Sequence, residues 1–313
     1  MNWIGIAIVA YFLLALEIVL DKFLLSSKRV SHPAIYAFYS GTMSLFVIFL
    51  IPFGFHAISY EKIFLSFIAG IIFIYGMLSL FSAVKRGEAS RVLPIVGAVV
   101  PITSFFLAII FLGENLGIRG SLGIGALIFG GILISFNLAK NRTRIFFEGF
   151  RASVLAGLLL ALSTIFIKAL YNEDNFLNVF IWTRMGAFLG VLSFFLIPIW
   201  RKPILNSLLK FKKSEKEEKK SGASFVLAKA LGGSGSFLKE NAVSMSLASV
   251  TVVNALVSVE YVFIFILSII FSGWMPKIMR EEKDFKSVIQ KLIAIAIITW
   301  GLILVSSPYG VRT

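Results

Sequence analysis

Charged side chains inside long apolar segments are the residues of this sequence most able to carry out chemistry. Glu17, Lys168, Arg184, Lys229 and Glu260 each lie within an apolar stretch long enough to cross a membrane. A charge at membrane depth costs on the order of 2.5–3.5 kcal/mol, so it persists where it pairs, lines a wet cavity or reaches an interface. These five residues are therefore candidates for binding a solute or coupling its movement to an ion. Structural ion pairs among them are the alternative.

The chemistry of the candidates suggests how they would divide the work. Glu17 or Glu260 could carry a coupling proton. Burial favours the protonated carboxyl and a neighbouring cation favours the ionised one, so protonation could follow the exposure of the site. Lys168, Arg184 and Lys229 could hold a carboxylate or a phosphate. Since these cations outnumber the two buried carboxylates, the pattern favours an anionic or zwitterionic solute.

The backbone offers a second group of candidates. Gly232, Gly233 and Gly235 stand close together in one apolar segment, where glycine is a poor helix former. They either let another helix approach closely or break the helix to expose backbone groups to a ligand. Pro94 and Pro101 share another segment, where each removes a backbone donor, so they predict a kink or a hinge.

Composition places the chain in a membrane. Of its 313 residues 58% are hydrophobic and 15% are charged, against about 25% charged in a soluble domain. The absence of cysteine excludes disulfides and thiolate metal sites, and two histidines give no metal or cofactor site. No cluster of His, Asp or Cys suggests an enzyme. The net charge of +14 is interpreted as loop charge that orients the spans, with no nucleic acid as partner.

Ten segments are long and apolar enough to span a membrane as helices. A span needs roughly 20 mostly apolar residues, and these runs are continuous rather than alternating, which argues against a barrel. The predicted spans are 3–22, 33–53, 62–84, 90–112, 118–137, 150–171, 177–199, 223–243, 247–272 and 286–306.

An internal repeat divides the ten spans into two halves. Lys22 and Lys168 occupy matching places at an offset of 146, and Gly76 falls on Gly235 at an offset of 159. Five spans per half, an odd number, place the second half upside down relative to the first. The predicted fold is thus an all-α integral membrane protein with a 5+5 inverted-topology repeat. Its parts are a first repeat over 1–137, a linker over 138–149 and a second repeat over 150–306.

The distribution of positive charge predicts the orientation. Of the 30 Lys and Arg residues, 23 fall at odd-numbered loops, and positively charged loops stay in the cytoplasm. The odd-numbered loops, including a long polar loop over 200–222, are therefore predicted to be cytoplasmic in the plasma (cell inner) membrane. Both termini are predicted to lie outside.

Small residues recur four apart in the fifth span. Ser121 and Gly125, Ala126 and Gly130, and Gly131 and Ser135 form a surface on which helices pack closely. The partner helix lies either inside the monomer or in a second copy, which would give a homodimer through the fifth and tenth helices.

Residues 87–116 resemble a known family. They read Gly87-Glu88-Ala89-Ser90-Arg91-Val92-Leu93-Pro94, then Pro101, then Leu112-Gly113-Glu114-Asn115-Leu116. This pattern resembles the EamA-type members of the drug/metabolite transporter superfamily over 60–136 and the first two spans. The second half departs from it, because Ser272-Gly273-Trp274 replaces the Leu-Gly-Glu and Glu260 falls where Pro101 would be. The resemblance implies a ten-helix inverted repeat whose spans 1, 3, 4, 6, 8 and 9 surround a cavity for a small metabolite.

The combined features predict a secondary transporter working by alternating access. No nucleotide-binding motif is present, so a gradient or exchange must supply the energy. Its predicted partners are a small-molecule substrate and the lipid bilayer. The alternative is a membrane interaction or scaffold protein without transport, in which every buried charge would belong to a structural ion pair.

Overall fold

The computed structural model of the protein describes most of the chain. It covers residues 3–26, 32–86, 89–114, 117–135, 149–211, 216–245, 248–272 and 285–306. Nearly every residue in these ranges lies in a helix and none lies in a β-strand, so the prediction of an all-α protein is confirmed. The predicted linker lies outside the described residues except for Gly149, and so do the side chains of Lys22 and Pro94.

Twelve α-helices follow one another through these ranges. The first half holds α1 (Trp3–Ser26), α2 (Pro33–Met43, extended by a 3₁₀ segment, Ser44–Phe53), α3 (Tyr60–Arg86), α4 (Ala89–Leu107, extended by a π-helical turn, Ala108–Leu112) and α5 (Ile118–Ser135). The second half holds α6 (Phe150–Tyr171), α7 (Phe176–Ser193, extended by Phe194–Leu196), α8 (Pro198–Phe211), α9 (Lys216–Ser244), α10 (Val250–Ala255), α11 (Val257–Ser272) and α12 (Phe285–Ser306).

Local sequence sets several helix ends. His32 accepts a hydrogen bond from the Ala34 N–H and precedes a proline at the first position of α2, where the missing N–H is no loss. Asn175 caps α7 in the same way through its side-chain oxygen. Gly54 and Gly113 end the 3₁₀ and π-helical extensions with positive φ angles of 112° and 64°, a backbone region that favours glycine.

Seven helices have the length and composition of membrane spans. They are Trp3–Leu20, Pro33–Phe53, Tyr60–Arg86, Ile95–Leu112, Phe150–Tyr171, Phe176–Leu196 and Val250–Leu267. Two shorter apolar helices, Ile118–Leu133 and Ile289–Leu304, match the fifth and tenth predicted segments. The eighth predicted segment lies inside α9 and is not among the seven. It carries three charged residues, Lys229, Lys239 and Glu240.

The stretch predicted as a long polar loop over 200–222 is instead largely helical. α8 extends to Phe211, and α9 already begins at Lys216. Lys and Glu are good helix formers, so a run of charge does not by itself exclude a helix. α8 also packs against α2: Ile204 is fully buried, and the hydroxyls of Tyr39 and Ser207 are 3.3 Å apart.

The helices of the two halves interleave. α1 packs along α9, α6 packs along α3, and α5 packs along α12. α5 and α12 approach closely at Gly130, which faces Ile298, and at Gly301, which faces Ala126. Ala126 and Gly130 of α5 therefore serve packing inside the monomer, whereas a Cβ at Gly125 would meet no described atom within 4 Å. A homodimer through the same helices stays a prediction.

A polar network ties α3 to the turn between α6 and α7. Lys62 lies 3.2 Å from the Asp174 carboxylate and donates a 2.8 Å hydrogen bond to the Glu173 carbonyl. The Asn178 side chain donates to Asp174 and accepts from the backbone N–H of His56. Loops on one side of the bundle are thus held together by charge-assisted hydrogen bonds, which are stronger than neutral ones.

The Asp174 carboxylate makes the stability of this network depend on pH. Burial would raise its pKa, but hydrogen bonds from Asn178, the Asn175 backbone and Lys62 outweigh burial and hold the pKa of Asp174 below its usual value. Such a group stabilises the fold above its unfolded pKa, about 3.9, and loses that contribution as pH falls through the folded pKa. We expect Asp174→Asn to lower the melting temperature of the detergent-purified protein at pH 7. Its difference from wild type should narrow between about pH 5 and pH 3.

Glu173→Gln is the matched control for Asp174→Asn, because the Glu173 side chain is exposed. It should leave the melting temperature near that of wild type across the same pH range. A constant difference between Asp174→Asn and wild type from pH 7 to pH 3 would contradict the assigned role of the carboxylate.

Gly70 lets α3 and α7 touch backbone to backbone. A Cβ placed there would meet the backbone of Thr183 and would lie 2.8 Å from Gly186. Overpacking of this kind costs about 1–3 kcal/mol, so Gly70→Ala should lower the melting temperature. At Gly233 of α9 a Cβ would meet no described atom within 4 Å. Gly233→Ala should therefore leave the melting temperature unchanged or raise it, and an equal fall in both variants would refute this packing.

Candidate functional site

One face of α9 carries the polar side chains of the candidate site. Lys229, Gly232, Ser236 and Glu240 are spaced three or four residues apart, which aligns them on one side of a helix. The Lys229 ammonium lies 2.6 Å from the Glu17 carboxylate of α1 and 4.6 Å from the centre of the Tyr36 ring. Two predicted site residues thus form a direct ion pair.

Gly232 makes this ion pair geometrically possible. A Cβ at that position would overlap the Glu17 carboxylate. Gly235, one turn further along, packs on the backbone of Ala10 in α1, whereas Gly233 is exposed. α9 remains helical through all three glycines. Of the two predicted roles, close approach describes Gly232 and Gly235, and the helix does not break.

Arg184 reaches the same face of α9 from α7. Its guanidinium donates a 2.6 Å hydrogen bond to the Ser236 hydroxyl. It also lies between two aromatic faces, 5.1 Å from the Phe73 ring and 4.8 Å from the Phe180 ring. Cation–π contacts strengthen when the cation is removed from water, so this arginine is fixed on three sides.

Glu260 of α11 joins the group from another direction. Its side chain is 6% exposed, and it lies close enough to Glu17 and Lys239 to interact electrostatically. Lys239 interacts in the same way with Glu240 and Arg184. The charged cluster, as we name it, therefore consists of three cations and three anions: Glu17, Arg184, Lys229, Lys239, Glu240 and Glu260.

Lys168 lies apart from the charged cluster. Its ammonium is 4% exposed and donates hydrogen bonds of 2.9 and 3.0 Å to the carbonyls of Val243 and Met245. These carbonyls belong to the C-terminal end of α9, where a cation compensates the helix dipole and the unpaired acceptors. Lys168 thus caps a helix, and the structure does not bring it to the other four predicted site residues.

Glu114, the last residue of the Leu-Gly-Glu motif, binds the residues at the start of α10. Its carboxylate accepts a 2.6 Å hydrogen bond from the Ser249 hydroxyl and a 3.0 Å hydrogen bond from the Val250 N–H. A residue of the first half therefore holds the start of α10 in the second half. Lys168 is within electrostatic range of the same carboxylate.

The two prolines of α4 leave the helix intact. α4 is helical from Ala89 to Leu107 and includes both Pro94 and Pro101. The Tyr261 hydroxyl of α11 donates a 2.9 Å hydrogen bond to the Leu93 carbonyl within this stretch. A hinge at the prolines stays a prediction.

A narrow crevice with room for about one water molecule lies beside the charged cluster, between α3, α6, α7 and α9. Its polar lining is Tyr171, Thr183, Arg184 and Glu240, and its apolar lining is Phe73, Ile167 and Phe180. Of these residues sequence reasoning singled out only Arg184. Glu240 and Lys239 are adjacent opposite charges near the end of a predicted span, a pattern typical of a solvated helix end.

The comparisons with known proteins agree with this architecture. The family model described as the EamA-like transporter family matches residues 1–136. The match covers the residues whose motif resembles this family of the drug/metabolite transporter superfamily. The match and the apolar helices support an integral membrane protein.

The chain also shares its fold with a solved structure described as "Crystal structure of protein". The two are 15% identical with a TM-score of 0.64, and the alignment covers 96% of each chain. At this identity the likeness extends to the fold alone. No curated protein matches the chain.

The Glu17–Lys229 pair can be tested by a double-mutant cycle. Glu17→Gln removes the negative charge 2.6 Å from the Lys229 ammonium, and breaking a buried pair costs on the order of 3 kcal/mol. The double variant Glu17→Gln/Lys229→Gln should recover part of that loss, because it removes both charges. Melting temperatures in detergent measure the coupling, and Glu61→Gln, at an exposed position of α3, is the control. Additive losses in the double variant would show that the pair does not couple α1 to α9.

Proposed function

We propose that this protein is a secondary transporter that moves a small solute across the cell membrane by alternating access. The observation that carries the proposal is the charged cluster, which gathers six ionisable side chains from α1, α7, α9 and α11. Each charge is expensive at membrane depth, and such groups line solute or ion pathways more often than they serve stability. The match to a transporter family over residues 1–136 supports the same conclusion.

Alternating access requires two halves that rock about the bound solute, and the packing supports a 5+5 inverted repeat of ten spans. α1 and α6 open their respective halves, and α3 and α9 are the third span of each. The first span of each half packs on the third span of the other half: α1 packs on α9, and α6 packs on α3. A two-fold axis lying in the membrane plane produces this exchange.

Individual contacts obey the same symmetry. The offsets of 146 and 159 found in the sequence place Leu159 and Leu160 on Leu13 and Leu14, and Gly76 on Gly235. A Cβ built at Gly76 would lie 3.1–3.3 Å from Leu159 and Leu160. A Cβ built at Gly235 would lie 3.0–3.2 Å from Leu13 and Leu14, which are the matching leucines of the first half.

The balance of charge favours a zwitterionic over an anionic solute. The sequence pattern held more buried cations than anions, but Lys168 caps a helix and Glu240 adds a carboxylate to the site. The cluster therefore offers both cations and carboxylates as partners to a solute that carries both signs.

Energy for transport would come from an ion gradient or from exchange. Glu260 is the candidate for a coupling proton, since it lies near Glu17 as well as Lys239, and one proton relieves the repulsion between two close carboxylates. The strong bias of Lys and Arg toward odd-numbered loops supports cytoplasmic odd-numbered loops and external termini.

The competing proposal is a membrane scaffold, in which the buried charges are structural pairs alone. Glu17 and Lys229 fit that description, because they are joined directly. Glu260 does not, because it lies within electrostatic range of a second carboxylate, Glu17, as well as of Lys239. Two like charges within range of each other are unfavourable unless one of them binds a proton, which favours transport.

Proteoliposome uptake at two values of the pH gradient tests the role of Glu260. Wild type should accumulate its solute only with the gradient, whereas Glu260→Gln should catalyse exchange but lose gradient-driven accumulation by tenfold or more. Glu61→Gln, which alters an exposed carboxylate of α3, should keep gradient-driven accumulation. Full pH coupling in Glu260→Gln would remove Glu260 from the proton role, and the absence of any uptake by wild type would favour the scaffold.

A further inference from the structure

α8 is a helix too short to cross the membrane. Its 14 residues, Pro198–Phe211, measure about 21 Å along the axis, whereas the hydrocarbon core of a bilayer is about 30 Å thick. Ile197, which precedes α8, has an extended backbone with φ −103° and ψ 110°, so α8 does not continue the α7 helix. It follows the seventh predicted span, on the side of the membrane where the bias of Lys and Arg predicts the cytoplasm.

One stripe of α8 packs on the protein. Trp200, Ile204 and Ser207 are spaced four and three residues apart, which aligns them along one side of a helix. The centre of the Trp200 ring lies 6.0 Å from that of Tyr75 and 5.2 Å from that of Phe194. Ile204 is fully buried, and the Ser207 hydroxyl reaches α2. These contacts fix the rotation of α8 about its own axis.

The neighbouring stripe of α8 exposes leucines in line with a cation. Arg201, Leu205 and Leu208 repeat the same spacing one residue further along, so their stripe is rotated by about 100° from the packed one. Leu205 and Leu208 are 39% and 40% exposed, and Arg201 is exposed as well. Lys202 and Asn206, both exposed, lie about 100° further around the helix. α8 therefore has a packed side, an apolar flank and a polar back.

This order of faces suits a helix that lies at the boundary between acyl chains and headgroups. Amphipathic helices of this kind bury an apolar face in the boundary and attract anionic lipids with Lys and Arg. The long stems of Arg201 and Lys202 let their charges reach the headgroups from beside the leucines. In the described part of the chain no ion pair involves either cation. Both charges are thus available to a lipid phosphate.

We propose that the α8 surface, defined by Arg201, Lys202, Leu205 and Leu208, binds an anionic phospholipid. The phosphate lies at the two cations, and an acyl chain lies along the two leucines. Each cation close to an anionic membrane surface strengthens attachment about fivefold. The general bias of positive charge toward one side accounts for the sign of this charge, but it requires neither a helix nor leucines aligned with Arg201.

Lipid bound at the α8 surface should stabilise the whole bundle. The packed stripe joins α8 to α3 through Trp200 and Tyr75, and to α2 through Ser207. Because these contacts exist only in the folded protein, a lipid that binds folded α8 shifts the equilibrium away from unfolding. This consequence is independent of whether the protein transports a solute.

Thermal unfolding of the full chain in detergent with added lipid tests the proposal. The probes are dioleoylphosphatidylglycerol and dioleoylphosphatidylcholine, which share their acyl chains and differ in net charge. The anionic lipid should raise the melting temperature more than the zwitterionic one, and we call this difference the anionic increment. It should shrink when the ionic strength rises from about 0.1 M to about 1 M, because the Debye length falls from about 10 Å to about 3 Å.

Two double variants locate the binding of the anionic lipid. Arg201→Gln/Lys202→Gln should weaken that binding by on the order of tenfold and reduce the anionic increment. Its melting temperature in phosphatidylcholine should stay near that of wild type, because both side chains are exposed. The matched control is Lys85→Gln/Arg86→Gln, which removes the same charge from an adjacent exposed pair at the end of α3. This control should keep the anionic increment.

Two further measurements separate a lipid surface from a simple phosphate site. Leu205→Gln/Leu208→Gln keeps both cations but should also reduce stabilisation by phosphatidylglycerol, since the acyl chain loses its contacts. Glycerol phosphate, which has the phosphate without acyl chains, should not raise the melting temperature.

Four results would each overturn the proposal. They are equal stabilisation by the two lipids, an equal loss of the anionic increment in the α3 control, full stabilisation of the leucine variant, and stabilisation by glycerol phosphate alone. The first would remove the preference for anionic lipid, and the second would assign the effect to overall charge. The third and the fourth would leave a phosphate contact without a lipid.

Discussion

The ion pair between Glu17 and Lys229 is the contact around which the buried charges of this protein are arranged. It joins α1 to α9 at 2.6 Å, and it forms only because Gly232 leaves the backbone of α9 bare at that level. Glu260 lies within electrostatic range of Glu17, and Ser236, on the same face of α9 as Lys229, accepts a hydrogen bond from Arg184. A low-dielectric interior requires such mutual compensation, because an isolated charge there would be far more expensive than a paired one.

Much of the fold follows from apolar segments of the right length, since a backbone in lipid has few alternatives to the helix. The charges at depth were equally visible in the sequence, and four of the five candidates, Glu17, Arg184, Lys229 and Glu260, meet in one cluster. Lys168 has a different role because its partners are backbone carbonyls. Every residue carries a carbonyl, so no side-chain pattern marks the ones that need a cap.

The remaining site residues were invisible for similar reasons. Glu240 follows Lys239 directly, and such a pair is as common at a solvated helix end as inside a bundle. Tyr171 and Thr183 become informative only when their side chains are found buried beside Arg184 and Glu240, which requires side-chain positions. The stretch over 200–222 is largely helical although its charge predicts a loop, because Lys and Glu propagate helices well.

Glu114 ties the first half of the chain to the start of α10, and the corresponding place in the second half carries no glutamate but a tryptophan in Ser272-Gly273-Trp274. A rocking carrier passes between two orientations that perfect internal symmetry would make equal in free energy. In the proposed transport cycle, the Glu114 contact lowers the free energy of the orientation in which it forms, and no glutamate stands at the matching place to favour the other orientation. Such a carrier has a resting orientation, and its empty return step is then slower in one direction than in the other.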